Sequence, residues 1–212
     1  PEPARRGGES FPVRNEAWVN AAEPLDDPNN VWLHEYVHTR QDFQLSDEMA
    51  WFREASAEYY GARLASEQGR ISERAMTEHL SGDSQEATLT DQSTWETERV
   101  PYRKGARVLA LLDRNIRFQT DDDRSLQDVF RRMNRHEGPV TYAEFKRIVA
   151  TVTGQPMGPW LDRYVAGETP VASFYGQSAR VGLFGAIGWT ADSPGDAFVV
   201  VFALGLLATL PL

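Results

Sequence analysis

Two histidines four residues apart enclose a glutamate in the stretch "HEYVH" near the start of the chain. On a helix, positions four apart lie on the same face, so His34 and His38 can point their imidazole rings at one metal ion. Glu35 is rotated from His34 by about 100° and lies beside the ion without having to bind it. The spacing therefore predicts two zinc ligands and a general base for hydrolysis.

The competing interpretation is a helix that carries two surface histidines. Trp32, Leu33 and Val37 surround the motif and indicate an apolar helix that should be buried. A buried glutamate beside buried histidines costs free energy unless its charge is compensated. A metal ion provides that compensation, and the flanking residues therefore favour the metal site over the surface helix.

The remaining ligand has to be a histidine or a carboxylate, because the chain contains no cysteine. A catalytic zinc ion typically has three protein ligands and one open position. The stretch "WFREASAEYYG" provides Glu54 and Glu58, which are also four apart and can face the first helix together. One can bind the metal while the other accepts a hydrogen bond from a ligand histidine. The alternative is an ordinary acidic helix face.

Taken in order, "HEYVH", "WFREASAEYYG" and "VPYRKGARVLALLD" resemble the gluzincin metallopeptidases, above all the aminopeptidase N and glycyl aminopeptidase families. The resemblance covers roughly Val31–Pro170. It implies a thermolysin-like, mainly helical catalytic lobe that binds Zn²⁺ and hydrolyses peptide bonds. It also implies that Glu54 is the third zinc ligand, that Glu58 is the acid one turn later, and that Tyr102 stabilises the oxyanion.

The chain departs from the family pattern at several points. Ala55 follows the third ligand where the aminopeptidases have glycine, and the interval from His38 to Glu54 is shorter. The upstream motif that grips a substrate's free amine and the large N-terminal β-domain are both missing from this sequence. The resemblance therefore implies a peptide or protein substrate without an aminopeptidase specificity. A membrane-anchored pseudo-peptidase, which binds peptides or acts as a scaffold, is the alternative function.

The rest of the sequence predicts a mainly α protein with a short edge strand over Glu16–Ala21. Polar residues with helix-capping preferences precede most of the apolar, helix-periodic segments. Helices are expected after Asn29 or Asn30, after Ser46, over Ser72–Leu80, from Pro101, from Ser125 with Asp128, from Thr141 with Glu144 to Gly154, and in "PMGPWLDRYVAG".

The charge and composition of the chain limit the classes of molecule that it can bind. The net charge of −9 lacks the basic surface that nucleic-acid binding requires, so nucleic acid is excluded as a partner. His79 and His136 stand among polar residues and are expected at the surface. Lys104 is expected either to pair with an acid near the site or to anchor its helix.

The sixteen residues 197–212 contain no charged side chain. As a helix they would span about 24 Å, against a bilayer core of about 30 Å. A buried C-terminal element is the alternative, and we favour a membrane anchor that places the protein at the cell surface or outside the cell. The expected organisation is a flexible lead-in (1–15), a catalytic domain (16–170), a linker (171–196) and this hydrophobic segment.

Overall fold

The chain is mainly α-helical, as the sequence predicts. The computed structural model describes residues 7–11, 16–81, 87–95, 97, 99–169 and 171. The linker beyond residue 171 and the hydrophobic segment 197–212 therefore lie outside the described residues. In the described part, seven α-helices and four short strands follow one another: β1 Gly8–Phe11, β2 Glu16–Val19, α1 Val31–His38, β3 Gln44–Leu45, α2 Trp51–Glu67, α3 Glu73–His79, α4 Ala106–Gln119, α5 Leu126–Met133, β4 Pro139–Val140, α6 Tyr142–Thr153 and α7 Gly158–Leu161.

The capping residues act as the sequence indicates. Asn30 is the N-cap of α1, and its side chain accepts a hydrogen bond from the backbone N–H of Leu33. Ser125 and Asp128 form a reciprocal capping box at the start of α5. Gly154 ends α6 with φ of 74°, a left-handed conformation that glycine adopts at little cost. These local signals explain why the helix starts could be predicted.

Two helix starts differ in detail from the prediction. The segment after Ser46 begins with a 3₁₀ turn, Asp47–Met49, before α2 starts at Trp51. The segment from Pro101 begins with a π-helical turn, Pro101–Gly105, before α4 continues it. Such wide turns are rare and occur often at functional sites. This one carries Tyr102.

Part of the N-terminal lead-in forms a strand that its composition does not suggest. Gly8–Phe11 forms a strand that pairs antiparallel with the expected edge strand, which ends at Val19. Both strands of this hairpin pack against α1. A hairpin needs a packed face to be stable, and α1 provides one that cannot be recognised from the polar sequence of residues 1–15.

Helix α2 is the centre of the fold and packs against α1, α3, α4 and the π-helical turn. Two glycines permit its close contacts. A Cβ atom at Gly61 would lie 3.3 Å from the backbone nitrogen of His34, and one at Gly105 would lie 2.7 Å from the Cβ of Ala55. The core around this helix is aromatic and aliphatic, with fully buried members that include Trp51, Phe52, Leu109, Leu112, Ile116 and Phe145.

Within the part of the chain that the structure describes, none of the helices combines the length and the apolar character needed to cross a bilayer.

Candidate metal centre

The predicted ligands meet at one point between α1 and α2. The Nε2 atoms of His34 and His38 are 3.1 Å apart, and each lies 3.2 Å from Oε2 of Glu54. Donor atoms placed tetrahedrally at about 2.0–2.1 Å from a zinc ion stand roughly 3.3 Å from one another. The triangle of the three side chains therefore has nearly the size that zinc requires, and the set is His₂Glu as the sequence predicts.

The triangle is buried on its histidine side and open at the glutamate. The side chains of His34 and His38 are 12% and 7% exposed, whereas that of Glu54 is 29% exposed. The phenol of Tyr102 borders this open side and is 37% exposed. Three ligands with one accessible face are typical of a catalytic zinc site and not of a closed structural one.

Glu58 lies behind His34, as expected for an acid one turn after the third ligand. Its Oε2 atom is 3.4 Å from Nδ1 of His34. Burial alone would raise the pKa of Glu58, but hydrogen bonds from His34 and His79 lower it to about 2. An ionised carboxylate only accepts hydrogen bonds, so Nδ1 of His34 carries a proton and the lone pair of its Nε2 is available to a metal.

His79 lies partly at the surface, as the sequence predicts, with its side chain 26% exposed, and it also contacts the site. Its Nε2 atom lies 2.6 Å from Oε1 of Glu58, on the side away from His34. This contact depends on tertiary packing. Helix α3 ends at His79 and packs against α2, so the last residue of α3 reaches the buried carboxylate of Glu58. A polar sequence context gives no sign of this contact. His136, by contrast, lies in an exposed turn and contacts the carbonyl of Gly138.

Gln41 accepts a hydrogen bond from the second ligand histidine, His38, as Glu58 does from His34. It was not identified from the sequence. Its Oε1 lies 3.0 Å from Nδ1 of His38. Its Nε2 donates to the backbone carbonyl of Arg53 and to the hydroxyl of Ser56, which fixes the orientation of the amide. Nδ1 of His38 is therefore the donor, and its Nε2 also faces the triangle as an acceptor.

Three acceptor atoms that face one another need a shared cation. Burial alone would lower the pKa of His34, but hydrogen bonds to Glu54 and Glu58 and their charges raise it to about 9. Burial would raise the pKa of Glu54, but the contacts of its carboxylate with His34 and His38 hold that pKa well below its usual range. The site thus concentrates negative potential on one point, where a proton on His34 or a divalent metal ion can satisfy all three groups.

Glu35 lies next to the triangle, beneath the N-terminal hairpin. It is buried, and burial raises its pKa, although the neighbouring histidines and a hydrogen bond from Ser10 act in the opposite direction. Gly8 is essential to this packing, because a Cβ atom there would lie 2.5 Å from Cγ of Glu35. Strand β1 therefore holds the carboxylate in place.

Tyr102 flanks the ligands on the other side. Its ring stacks on that of His34, with the centroids 5.7 Å apart and the planes 9° from parallel. Its hydroxyl donates a hydrogen bond to the Glu54 carboxylate. Burial, that hydrogen bond and the surrounding carboxylates together raise the pKa of Tyr102 above its usual range, so the phenol stays protonated.

Lys104 anchors its segment and does not pair with an acid of the site. It is fully buried, and its Nζ donates to the backbone carbonyls of Ala87 and Gly167. Burial lowers its pKa to about 8. The sequence left two roles open for Lys104, a pair with an acid near the site and an anchor for its helix. The structure supports the second.

Comparison of the chain with protein-family models, with curated proteins and with solved structures finds no match. The candidate site therefore stands on its own geometry. That geometry brings together all six residues chosen from the sequence, namely His34, Glu35, His38, Glu54, Glu58 and Tyr102, and adds Ser10, Gln41 and His79 around them.

Proposed function

We propose that this protein is a zinc-dependent metallopeptidase of the gluzincin type, with a thermolysin-like helical catalytic lobe. The observation that supports this function is the triangle of His34, His38 and Glu54, sized for zinc and flanked by Glu35 and Tyr102. A metal site alone does not imply catalysis. The combination of an open face, a carboxylate base and a protonated phenol does favour it.

The donor set favours zinc over other ions. Two imidazoles and one carboxylate suit Zn²⁺, whereas calcium and magnesium prefer sites made only of oxygen ligands. When bound, zinc would polarise the peptide carbonyl and lower the pKa of a bound water to about 7. His34 and His38 would hold it through their Nε2 atoms and Glu54 through Oε2.

The chain's own residues then move the protons. Glu35 takes a proton from the attacking water as the water oxygen bonds to the peptide carbonyl carbon. It returns that proton to the nitrogen as the carbon–nitrogen bond breaks, so the products are a carboxylic acid and a free amine. Tyr102 turns its hydroxyl from Glu54 to the substrate oxygen and stabilises the negative charge that develops there.

The substrate is a peptide or protein segment that approaches the open side near Glu54 and Tyr102. The uncharged segment 197–212 supports a location at the cell surface or outside the cell, with that segment as the anchor. Nothing in the acidic composition favours a nucleic-acid partner.

A scaffold or peptide-binding pseudo-peptidase is the second candidate, and one observation favours it. Strand β1 lies directly on Glu35, so the carboxylate has little exposed surface. If the hairpin covers the base permanently, the site binds zinc and peptides without turnover. The active form requires Glu35 to reach a water molecule within the triangle's open face.

Metal analysis and peptide cleavage test the proposal together. The purified protein should contain about one zinc per chain, and His34→Ala should lose it, because two remaining ligands bind zinc far more weakly. Glu35→Gln should keep zinc but lose nearly all cleavage of a diverse peptide library, since an amide cannot accept the proton.

A wild-type chain without zinc would exclude the metal site. A zinc-bound chain that cleaves no peptide would favour the scaffold.

A further inference from the structure

His79 is the one histidine near the site that neither the predicted ligand set nor the proposed chemistry uses. It lies at the C-terminal end of α3, and its side chain is 26% exposed. Its Nε2 atom is 2.6 Å from Oε1 of Glu58, whose side chain is only 9% exposed. The short distance marks a strong, charge-assisted hydrogen bond.

The other oxygen of Glu58 faces His34. Oε2 lies 3.4 Å from Nδ1 of that ring, which is a longer and weaker contact than the one to His79. The carboxylate is therefore positioned mainly by His79 and offers its second oxygen to the ligand histidine. If His79 were absent, Glu58 would be free to rotate about its last torsion angle, which is broad in carboxylates.

We infer that His79 is a positioning residue for zinc binding: through Glu58 it holds His34 in the tautomer that carries its proton on Nδ1. This inference rests on the proposed zinc site. Only that tautomer leaves the Nε2 of His34 free to bind the metal. The chain of contacts joins three helices, with His34 from α1, Glu58 from α2 and His79 from α3.

The two ligand histidines are thereby held in different ways. His38 donates to a neutral amide, Gln41, which the backbone of α2 fixes directly. His34 donates to an ionised carboxylate, which raises the basicity of the ring and strengthens its bond to a cation. His79 supplies the donor that keeps this buried anion in place, and without it the anion has one hydrogen bond fewer to offset its burial.

Zinc affinity, measured by competition with a chromogenic chelator, tests the role. Removal of a partner behind a ligand typically weakens metal binding 10- to 100-fold. His79 acts through Glu58, and we expect His79→Leu to weaken zinc binding by about tenfold, at the low end of that range. His79→Gln should restore most of the affinity, because its amide nitrogen can donate at the position of the histidine Nε2.

His136→Leu is the matched control. His136 is also partly exposed, and its Nε2 lies 3.6 Å from Oε2 of Glu144, which contacts neither ligand histidine. Its zinc affinity should equal that of the wild type. At a pH above about 9, where the His34 ring of the metal-free protein is neutral, its ¹⁵N chemical shifts should report the Nδ1–H form in the wild type and a mixture of tautomers in His79→Leu.

Thermal unfolding of the metal-free variants separates positioning from folding. If His79→Leu unfolds earlier but binds zinc as tightly as the wild type once folded, with the His34 tautomer unchanged, His79 is only a structural link and the inference is wrong. If His79→Gln fails to restore affinity while it restores stability, the inference is also wrong. A wild-type protein that binds no zinc overturns the proposed site itself, which is a separate outcome.

Discussion

Tyr102 has two possible partners for one hydroxyl proton. In the structure it donates to Glu54, a ligand of the candidate site, while its ring lies against His34. During hydrolysis the same proton would be directed to the oxygen of the substrate. The stacked ring fixes the phenol's position, so a small rotation of the hydroxyl is sufficient to change partners.

Tyr102→Phe should lower kcat by about 10²-fold, the cost of one lost donor to an oxyanion. KM and zinc content should change little, because the phenyl ring keeps its stacking on His34 and the ligands stay in place. Steady-state kinetics on a fluorogenic peptide measures the effect. Tyr164→Phe, in a ring that packs on Trp160, is the control and should have wild-type kcat. A variant that loses zinc instead would assign Tyr102 to ligand support.

The sequence predicted the residues that directly form the site and Glu58 behind His34, but it missed Gln41 and His79. Helical spacing of four places each pair on one face. That spacing made it possible to predict His34 with His38 and Glu54 with Glu58. Gln41 and His79 could not be predicted from the sequence, because each reaches its partner through the packing of one element against another. Neutral amides and histidines in polar stretches carry no sequence signal that separates a partner of a ligand from a surface residue.

At the scale of elements, the site depends on how closely the π-helical turn approaches α2. Gly105 makes the approach possible, since a Cβ atom there would lie 2.7 Å from the Cβ of Ala55 and 3.3 Å from the ring of Trp51. Both of these neighbours belong to the core and cannot turn aside. The distance between Tyr102 and Glu54 is therefore set at Gly105, on the same turn.

Gly105→Ala should separate the turn from α2 and destabilise the fold by on the order of 1–3 kcal/mol, the usual cost of overpacking a core. It should also lower kcat, because Tyr102 moves with the turn. Chemical denaturation and kinetics measure the two effects. Gly158→Ala is the matched control, as a Cβ atom there meets no neighbouring atom within 4 Å. Equal stability of the two variants would contradict the close-contact explanation.

The elements themselves were largely predictable from capping residues and apolar periodicity. Asn30, Ser125 and Gly154 have their expected places at helix ends. The π-helical turn at Pro101 and strand β1 were not foreseen. Each exists because a neighbouring element stabilises it, α2 in the first case and α1 in the second, and such support cannot be derived from local sequence.

At the scale of the whole molecule, Lys104 ties together segments that are distant in the chain. Its buried ammonium group binds the carbonyl of Ala87 before the site's turn and that of Gly167 near the end of the described residues. Ala87 is buried, so its carbonyl needs a donor because it is removed from water. The cost is a positive charge in the core, which explains why its pKa falls to about 8.

This buried charge gives stability a measurable dependence on pH. Between about pH 8, its pKa in the folded protein, and about 10.4, the usual lysine value, the unfolded chain holds a proton that the folded one has released. Stability should therefore rise with pH there, by up to about 1.4 kcal/mol per unit, relative to Lys104→Met. Denaturant titrations across this range measure the difference. Lys146→Met, which removes a partly exposed lysine, should have the same dependence of stability on pH as the wild type. If the stability of the wild type and that of Lys104→Met change with pH in the same way, the buried charge is contradicted.

The candidate metal ligands are close neighbours along the chain. Helices α1 and α2, which carry all of them, are joined only by residues 39–50. A bond that closes so short a loop removes little entropy from the unfolded chain, whereas one between distant segments removes more. Bound zinc would therefore add little as a crosslink, and long-range order comes from the apolar core and from Lys104. We therefore expect the polypeptide to fold first and to bind a metal ion afterwards, through the side of the site on which Glu54 is exposed.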